Sequence, residues 1–255
     1  MLRFGVMDAI GQKKRELARL TKEEGYTQHP FDVENGVRTS GIIPGRFLKT
    51  GHRHDRHSTA YFGVAPSVFR GLLRKWEKSR PCAPVEEFVF VDVGAGMGRA
   101  MLLASKYPFK RIEGIELNPV LAGIARRNVA KWKMTGRTRS RIRVTCGDAV
   151  EFRFSKGPCV VFLFNPFGAS VMRRLLAGLA EAFRERPGQL YLLYVNHEQE
   201  HVFEGQRGFV RLFLGKVKRS RADAIADHRI MANQPDGEYA ASNYEDCSIW
   251  RWEGF

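Results

Sequence analysis

A glycine-rich turn between an apolar strand and a helix is the feature that most constrains how this chain can fold. Residues 88–93 read FVFVDV, the pattern of a buried strand with one acid near its end. The run GAGMG follows at 94–98, and a helical pattern starts at residue 99. Glycines at such a turn permit positive φ angles and allow a ligand to lie against bare backbone. The sequence therefore predicts a ligand site at the carboxyl end of this strand.

Short apolar strands alternate with helical patterns from residue 88 onward, which is typical of βαβ units. The predicted strands are 88–93, 111–116, 141–146, 159–164 and 189–195. Two more, near 209–218 and 246–252, are joined by a long polar segment without an obvious crossover helix, which predicts an antiparallel pair closing the sheet. We therefore expect an α/β, Rossmann-like fold: a mostly parallel sheet with an antiparallel strand near the C-terminus and helices on both faces.

The spacing of the glycines distinguishes between classes of cofactor. A dinucleotide site has G-x-G-x-x-G, which here would require glycine at position 99, where Arg99 stands. The chain has G-x-G-x-G instead, which argues against NAD or FAD. The next strand ends in Glu116, and an acid about 20 residues after such a turn is placed to accept hydrogen bonds from ribose hydroxyls.

Residues 91–98 resemble the first motif of the class I, seven-strand S-adenosylmethionine-dependent methyltransferases, and the resemblance extends over about residues 85–200. It implies S-adenosylmethionine as the cofactor. It also implies that Gly94, Gly96 and Gly98 lie against the carboxypropyl and ribose parts of that cofactor. Asp92 would help to hold the methionine end.

Two further acids acquire roles from the same resemblance. Glu116 would bind the ribose, whereas Glu113 on the same strand would point elsewhere. Asp148, in the Gly-Asp-Ala sequence after the third strand, matches the position near the adenine amino group. The alternative role for Asp148 is that of a helix N-cap.

The fourth strand is followed by Asn165, Pro166, Phe167 and a glycine. This sequence is similar to the Asn/Asp-Pro-Pro-aromatic motif of methyltransferases that modify planar or amino nitrogen, with one proline missing. The similarity implies that the Asn165 amide oxygen and a proline carbonyl accept hydrogen bonds from the target N–H groups, while Phe167 packs on the substrate. The alternative is that Asn-Pro simply ends the strand in a turn.

The N-terminal region is expected to cover the site. Residues 1–25 predict a polar helix, 26–62 predict loops, and 64–79 predict a further helix. We therefore divide the chain into an N-terminal helical and loop cap at 1–80 and an S-adenosylmethionine-binding methyltransferase domain at 81–255. The His-rich segment 52–57 and Tyr61 are candidates for an active-site lid, with a solvated basic loop as the alternative for 52–57.

Charge raises the question of a polyanionic partner. The chain has 42 Lys and Arg residues against 27 Asp and Glu, a formal net charge of +15. Residues 126–143 contain only basic charged residues, but this segment links a helix to the start of a strand and so should lie opposite the cofactor edge of the sheet. A solvated surface is the alternative there.

The acceptor favoured by the sequence is therefore a protein or small-molecule amine or amide, methylated on nitrogen. The alternative is a nucleic acid, notably RNA, bound through the basic surface. A cofactor-binding module without turnover is a third possibility.

The pattern H-E-x-x-H at 197–201 fits the zinc metalloprotease signature. It directly follows an apolar strand, however, and glycines at 205 and 208 leave room for only a short helix. We therefore expect no metal site there. The chain carries no long apolar run at its start or later, and its four cysteines lack a C-x-x-C pair, so we expect a soluble cytoplasmic protein without membrane partners.

Overall fold

The computed structural model describes residues 27–233 and 239–255, and the helix predicted over 1–25 lies outside them. The strands are β1 (Ile42–Ile43), β2 (Tyr61–Phe62), β3 (Val89–Val93), β4 (Arg111–Glu116), β5 (Ile142–Cys146), β6 (Cys159–Phe164), β7 (Leu190–Val195), β8 (Phe209–Lys218) and β9 (Tyr244–Trp252). The helices are α1 (Pro30–Asn35), α2 (Pro66–Lys78), α3 (Arg99–Ala104), α4 (Pro119–Met134), α5 (Ala169–Ala182), α6 (His201–Glu204) and α7 (Arg221–Ala232).

Seven strands form one sheet in the order β5-β4-β3-β6-β7-β9-β8. Strands β3 to β7 run parallel to one another, and β9 is antiparallel to both of its neighbours. The predicted α/β, mostly parallel sheet with a closing antiparallel pair is confirmed. Strand order reverses between β3 and β6, and in open α/β sheets this is where ligands bind, beyond the carboxyl ends of the strands.

The connection between β8 and β9 differs from the prediction. A helix, α7, lies in the segment where the sequence predicted a polar linker without one. The Ser220 side chain caps its first turn by accepting a hydrogen bond from the Asp223 amide at 3.1 Å. Its buried face consists of two alanines and two aspartates beside Ile230, so the apolar periodicity is too weak to be recognised in the sequence.

Both faces of the sheet are covered. All five residues of β3 are buried, as expected for a central parallel strand. On one face, Phe90 and Phe162 pack with α2 and its Trp76. On the other face, the valines of β3 pack against α5. The helical pattern predicted at 64–79 is confirmed by α2, which belongs to this sheet-covering layer.

The described part of the N-terminal region folds across the glycine turn. Strands β1 and β2 pair antiparallel, and a buried carboxylate, Asp32, accepts hydrogen bonds from the backbone amides and hydroxyls of Thr39 and Ser40 at 2.5–2.7 Å. The loops predicted at 26–62 thus contain short elements held by one buried acid. Among the described residues, none of the helices has the length and apolar character needed to cross a bilayer.

Candidate cofactor and acceptor site

A cleft of about 980 Å³, including its open mouth, lies at the carboxyl ends of the central strands. Its lining includes Asp92, Gly94, Gly96, Glu116 and Asp148, so the structure brings together acids and glycines that are up to 56 positions apart in the chain. The carboxylates in this lining can accept hydrogen bonds from donors such as ribose hydroxyls and amino groups.

The glycine turn has the backbone geometry that other residues adopt with strain. Gly94, Gly96 and Gly98 have φ angles of 73°, 54° and 93°. A β-carbon at position 94 would approach Pro166 Cβ to 2.6 Å, and one at position 96 would approach Tyr61 Cε2 to 2.2 Å. Positions 94 and 96 therefore require glycine, because their φ angles are positive and because Pro166 and Tyr61 occupy the space that a β-carbon would need.

Glu116 links the glycine turn to the start of α4. Its Oε2 accepts a hydrogen bond from the Gly96 amide at 2.7 Å, and its Oε1 accepts one from the Asn118 amide at 2.8 Å. Burial raises the pKa of Glu116, and these backbone donors oppose the rise. Glu113 on the same strand pairs with Arg111 at 2.8 Å, away from the cleft lining.

Asp92 is the most perturbed acid of the cleft. Its side chain is buried, and burial together with the nearby Glu116 charge raises its pKa to about 8. A carboxyl group in this state becomes a carboxylate readily only when a cation arrives beside it. The arrangement fits a ligand that carries an ammonium or sulfonium charge.

Asp148 makes one hydrogen bond and one close contact, and its Oδ2 accepts no hydrogen bond from a described residue. Its Oδ1 accepts a hydrogen bond from the Val150 amide at 3.0 Å, which is the capping role considered as the alternative, and Oδ2 lies 2.8 Å from His54 Nδ1. The other ring nitrogen of His54 lies 2.7 Å from Arg174 Nη1. Because arginine only donates, that nitrogen accepts and the ring proton lies on Nδ1, facing Asp148.

The loop at 52–57 is packed into the site rather than solvated throughout. His54 and Asp55 are buried, and Asp55 Oδ2 accepts hydrogen bonds from three successive backbone amides at 50–52. Within the described ranges, His52, His54 and Asp148 form the cluster whose ligand atoms lie within 4.8 Å of one another, as metal ligands can. Because His54 Nε2 accepts a hydrogen bond from Arg174, its Nδ1 carries the ring proton and is not available as a ligand to an ion.

Asn165 occupies the bend after β6, with a φ angle of 39°. Its backbone carbonyl accepts a hydrogen bond from the Thr59 hydroxyl, and its backbone N–H donates one to the Val195 carbonyl at 3.1 Å. Its side-chain Oδ1 is buried, and no described residue donates a hydrogen bond to it. A buried acceptor of this kind is costly unless a ligand donor satisfies it.

Pro166 and Phe167 face the cofactor side of the same bend. Pro166 lies over Gly94, and Phe167 is 9% exposed and packs with the core on the α5 face. A different aromatic pair, Phe62 and Phe164, lies between the cofactor cleft and a second cavity described below. Their ring centroids lie 6.4 Å apart, and both rings line both cavities. The sequence did not single out either ring, because β2 belongs to the N-terminal region and only the fold brings it to β6.

A second cavity of about 1410 Å³, here called the acceptor cavity, adjoins the cofactor cleft. The two share Thr59, Ala60, Phe62 and Phe164 in their linings. Polar side chains of the acceptor cavity include Asn165, Asn196, Glu198, Lys216, Tyr239 and Asp246. Asn165, whose side-chain oxygen is unsatisfied, therefore lines a chamber beside the cofactor cleft that is large enough for a second substrate.

Arg99, noted in the sequence only because it replaces a glycine, holds the N-terminal region to the glycine turn. It is 2% exposed and donates hydrogen bonds to Thr39 Oγ1 at 2.7 Å, to Ser40 Oγ at 2.9 Å and to the Gly63 carbonyl at 3.1 Å. Nothing in the local sequence indicates these partners, which lie about 36 to 60 positions away.

The H-E-x-x-H pattern does not lie on one helix. His197 precedes a turn, and α6 begins only at His201. Glu200 accepts hydrogen bonds from Ser248 Oγ at 2.7 Å and Trp250 Nε1 at 3.1 Å, which gives it a structural role in holding β9. The helical spacing that the zinc interpretation requires is not formed.

Comparisons with known proteins agree with this geometry. No family model matches the chain. A segment of 81 residues is 32% identical to a tRNA1(Val) (adenine(37)-N6)-methyltransferase of Porphyromonas gingivalis and covers 31% of this chain and 30% of that protein. The chain thus spans less than a third of the length of that curated relative.

Solved structures resemble the chain over most of its length at low identity. The [4+2]-cyclase SpnF has a TM-score of 0.52 at 17% identity, with 73% of this chain and 81% of that chain covered. Magnesium protoporphyrin IX methyltransferase from Synechocystis PCC 6803, solved with bound S-adenosylmethionine, has a TM-score of 0.46 at 11% identity, with coverages of 73% and 78%.

The sheet order and the cleft at the carboxyl ends of the strands define a Rossmann-like α/β architecture. The fold of this chain is that of the class I S-adenosylmethionine-dependent methyltransferases. The resemblance predicted from the sequence is confirmed for the fold.

Proposed function

We propose that this chain is an S-adenosylmethionine-dependent N-methyltransferase whose acceptor is a planar amino nitrogen of a nucleobase in RNA. The observation that carries the proposal is Asn165, which lines the cavity beside the cofactor cleft and whose buried side-chain Oδ1 has no donor among the described residues. An amide oxygen in this position suits an N–H donor from a substrate.

The cleft residues fit the cofactor, which supplies a methyl group on a positively charged sulfur when bound. Gly94 and Gly96 line the cleft, whereas Gly98 is buried outside its lining; Glu116 offers acceptors for ribose hydroxyls, and Asp92 pairs with the ammonium of the methionine end. Asp148 borders the region expected for adenine and also anchors the loop 52–57 through His54. The N-terminal region, with Tyr61 and Thr59, closes one wall of both cavities.

Orientation of the acceptor is the contribution expected from Asn165, with Pro166 and Phe167 holding the bend that presents it. Fixing a nitrogen lone pair in line with a transferable group lowers the barrier mainly by removing the entropy of alignment. An aliphatic ammonium must lose a proton before it can attack, whereas a nucleobase amino group is already uncharged at neutral pH. The planar acceptor therefore needs less acid–base chemistry from this chamber.

The partial match to a tRNA adenine-N6 methyltransferase also supports a nucleobase acceptor. The second candidate is the amine or amide of a protein or small molecule, because Glu198 and Asp246 line the same cavity and would attract a cation. In the first candidate the methyl group is transferred to RNA, and in the second to a protein or a small molecule.

Transfer of labelled methyl groups into a cell extract tests the function. The label should be released by nuclease and resist protease; release by protease alone would identify the second candidate instead. Asn165→Ala should retain cofactor affinity in calorimetry and lose transfer. Asn196→Ala is the matched control, because Asn196 lines the same cavity and also has a positive φ angle, 48°, but its amide is paired with Glu198 at 3.3 Å. Equal transfer by the Asn165 and Asn196 variants would remove Asn165 from the acceptor site.

A further inference from the structure

A basic groove runs between helix α2 and the end of strand β8. It encloses about 1260 Å³ including its open side. Its lining includes six cations that we call the groove cations: Arg70, Arg74, Lys75, Lys78, Lys216 and Lys218. On α2, positions 70, 74 and 78 succeed one another at intervals of four and so share one face of the helix, over about 12 Å.

Cations dominate this groove, with two acids at its border: Glu77 of α2, whose pKa the nearby Arg74 lowers against the larger rise caused by burial, and Asp246, which pairs across the strands with Lys216. Among the described residues that line it, none is acidic. Arg219 also lines the groove, but it is buried and pairs with Asp227 and Glu245, so it adds little to the field outside. Asp223, beside the Ser67 end of the groove, is 7% exposed and accepts a hydrogen bond from the Ser67 amide at 2.7 Å.

The groove leads to the acceptor cavity. Val195 and Gly215 both pair with Cys247, so the residues after Gly215 lie at the same sheet edge as the end of β7. Lys216 lines both the groove and the acceptor cavity, as does Arg219. A polymer lying in the groove can therefore place one of its units in the cavity.

We infer that the groove binds the phosphodiester backbone of single-stranded RNA next to the nucleotide that enters the acceptor cavity. This inference rests on the proposed function for its choice of RNA. A row of cations in a groove whose lining holds no acid among the described residues is the surface that a polyanion of regular spacing requires. The basic segment 126–143 does not serve this role, because it ends at the start of β5, whereas Glu116 in the cleft pairs with Cys146 at the end of that strand.

Salt-dependent binding of a fluorescent single-stranded oligoadenylate tests the groove. The triple variant Arg70→Gln, Arg74→Gln, Lys78→Gln removes three cations from exposed helix positions. Loss of three phosphate contacts should reduce the slope of log affinity against log salt by about 2 and weaken binding by about tenfold or more at low salt. The matched control, Arg126→Gln, Lys131→Gln, Lys133→Gln, removes the same charge from exposed positions of α4 and should leave the slope unchanged.

Three outcomes would overturn the inference: an unchanged slope in the groove variant, an equal loss in the control, or tighter and equally charge-dependent binding of polyglutamate, which would make the occupant an acidic protein. The restoring variant Arg74→Lys should behave as the unaltered chain, which separates charge from folding. The inference and the proposed function fail separately. If RNA is methylated but the groove variant keeps the salt slope of the unaltered chain, only the inference about the groove is refuted. If the groove variant has a reduced salt slope but RNA is not methylated, only the proposed acceptor is refuted.

Discussion

Tyr61 lies against Gly96 so closely that a β-carbon at position 96 would stand 2.2 Å from Cε2 of the ring. The Tyr61 hydroxyl donates a hydrogen bond to the Thr39 carbonyl at 2.7 Å, so the ring has little freedom to retreat. The floor of the cofactor cleft and the N-terminal region are therefore one packing unit. A ligand bound at the glycine turn therefore contacts both the turn and the N-terminal region.

Replacing Gly96 with alanine should reduce S-adenosylmethionine affinity by about tenfold or more in calorimetry, because the methyl group displaces Tyr61 in addition to the strain of a φ of 54°. Gly136→Ala is the control: its φ is 67°, and nothing lies within 4 Å of the added carbon. The control should lose stability by about 1–2 kcal/mol and keep its affinity. Comparable losses of affinity in both variants would contradict the role of the Tyr61 contact.

Cofactor binding should depend on pH through Asp92. Its pKa is raised to about 8 in the free protein, so at lower pH the group is protonated and must release its proton to pair with an ammonium. Affinity should therefore rise with pH, by up to about tenfold per pH unit, and level off above about 8. Asp92→Asn should bind more weakly and without this dependence. A pH-independent affinity in the unaltered chain would exclude the pairing.

Asp92 should also affect stability with the opposite sign. Because its folded-state pKa exceeds the unfolded value of 3.8, the folded state holds the proton more tightly, and its contribution is lost as pH rises from about 4 to about 8. Asp92→Asn cannot ionise, so its melting temperature should exceed that of the unaltered chain increasingly towards pH 8. Parallel melting curves would show that Asp92 is not desolvated as described.

Removing the Arg99 guanidinium should destabilise the fold. Arg99→Met leaves the acceptors at Thr39, Ser40 and Gly63 without their donor, and the buried Asp32 without its nearby cation; we expect a loss of about 3 kcal/mol in the free energy of unfolding by urea. Arg111→Met breaks a partly exposed pair with Glu113, so its cost should stay within about 1 kcal/mol. Similar losses for the two variants would contradict a buried clamp.

His29 should make the fold sensitive to acid. Burial, followed by the charge of Arg99, lowers its pKa from 6.5 to about 4. Between these values the unfolded state takes up a proton that the folded state does not, so stability falls as pH decreases from 6.5 to about 4. His29→Asn retains a side chain able to accept the 3.1 Å capping bond from Phe31 N but does not titrate. Its melting temperature should fall less steeply over this range, and an identical slope would refute the assignment.

Much of the fold was predictable because its signals are local. The five parallel strands have boundaries within one residue of those predicted, since apolar runs of strand length bounded by glycine and polar residues carry that information. Helix α7 was missed because alanines and buried aspartates, rather than large apolar side chains, form most of its inner face. The boundary between cap and domain at residue 80 stays a prediction, although α2 packs on the sheet.

The sequence by itself determined the strand–turn–helix unit, the class of cofactor it resembles and the acids at the strand ends, because each depends on residues within a few positions of one another or on strand order. Only the tertiary structure decided what surrounds them. Tyr61 on Gly96, Arg99 on the segment after Asp32, and the groove between α2 and β8 join residues remote along the chain. Side-chain packing in three dimensions selects such contacts, and no local spacing records them.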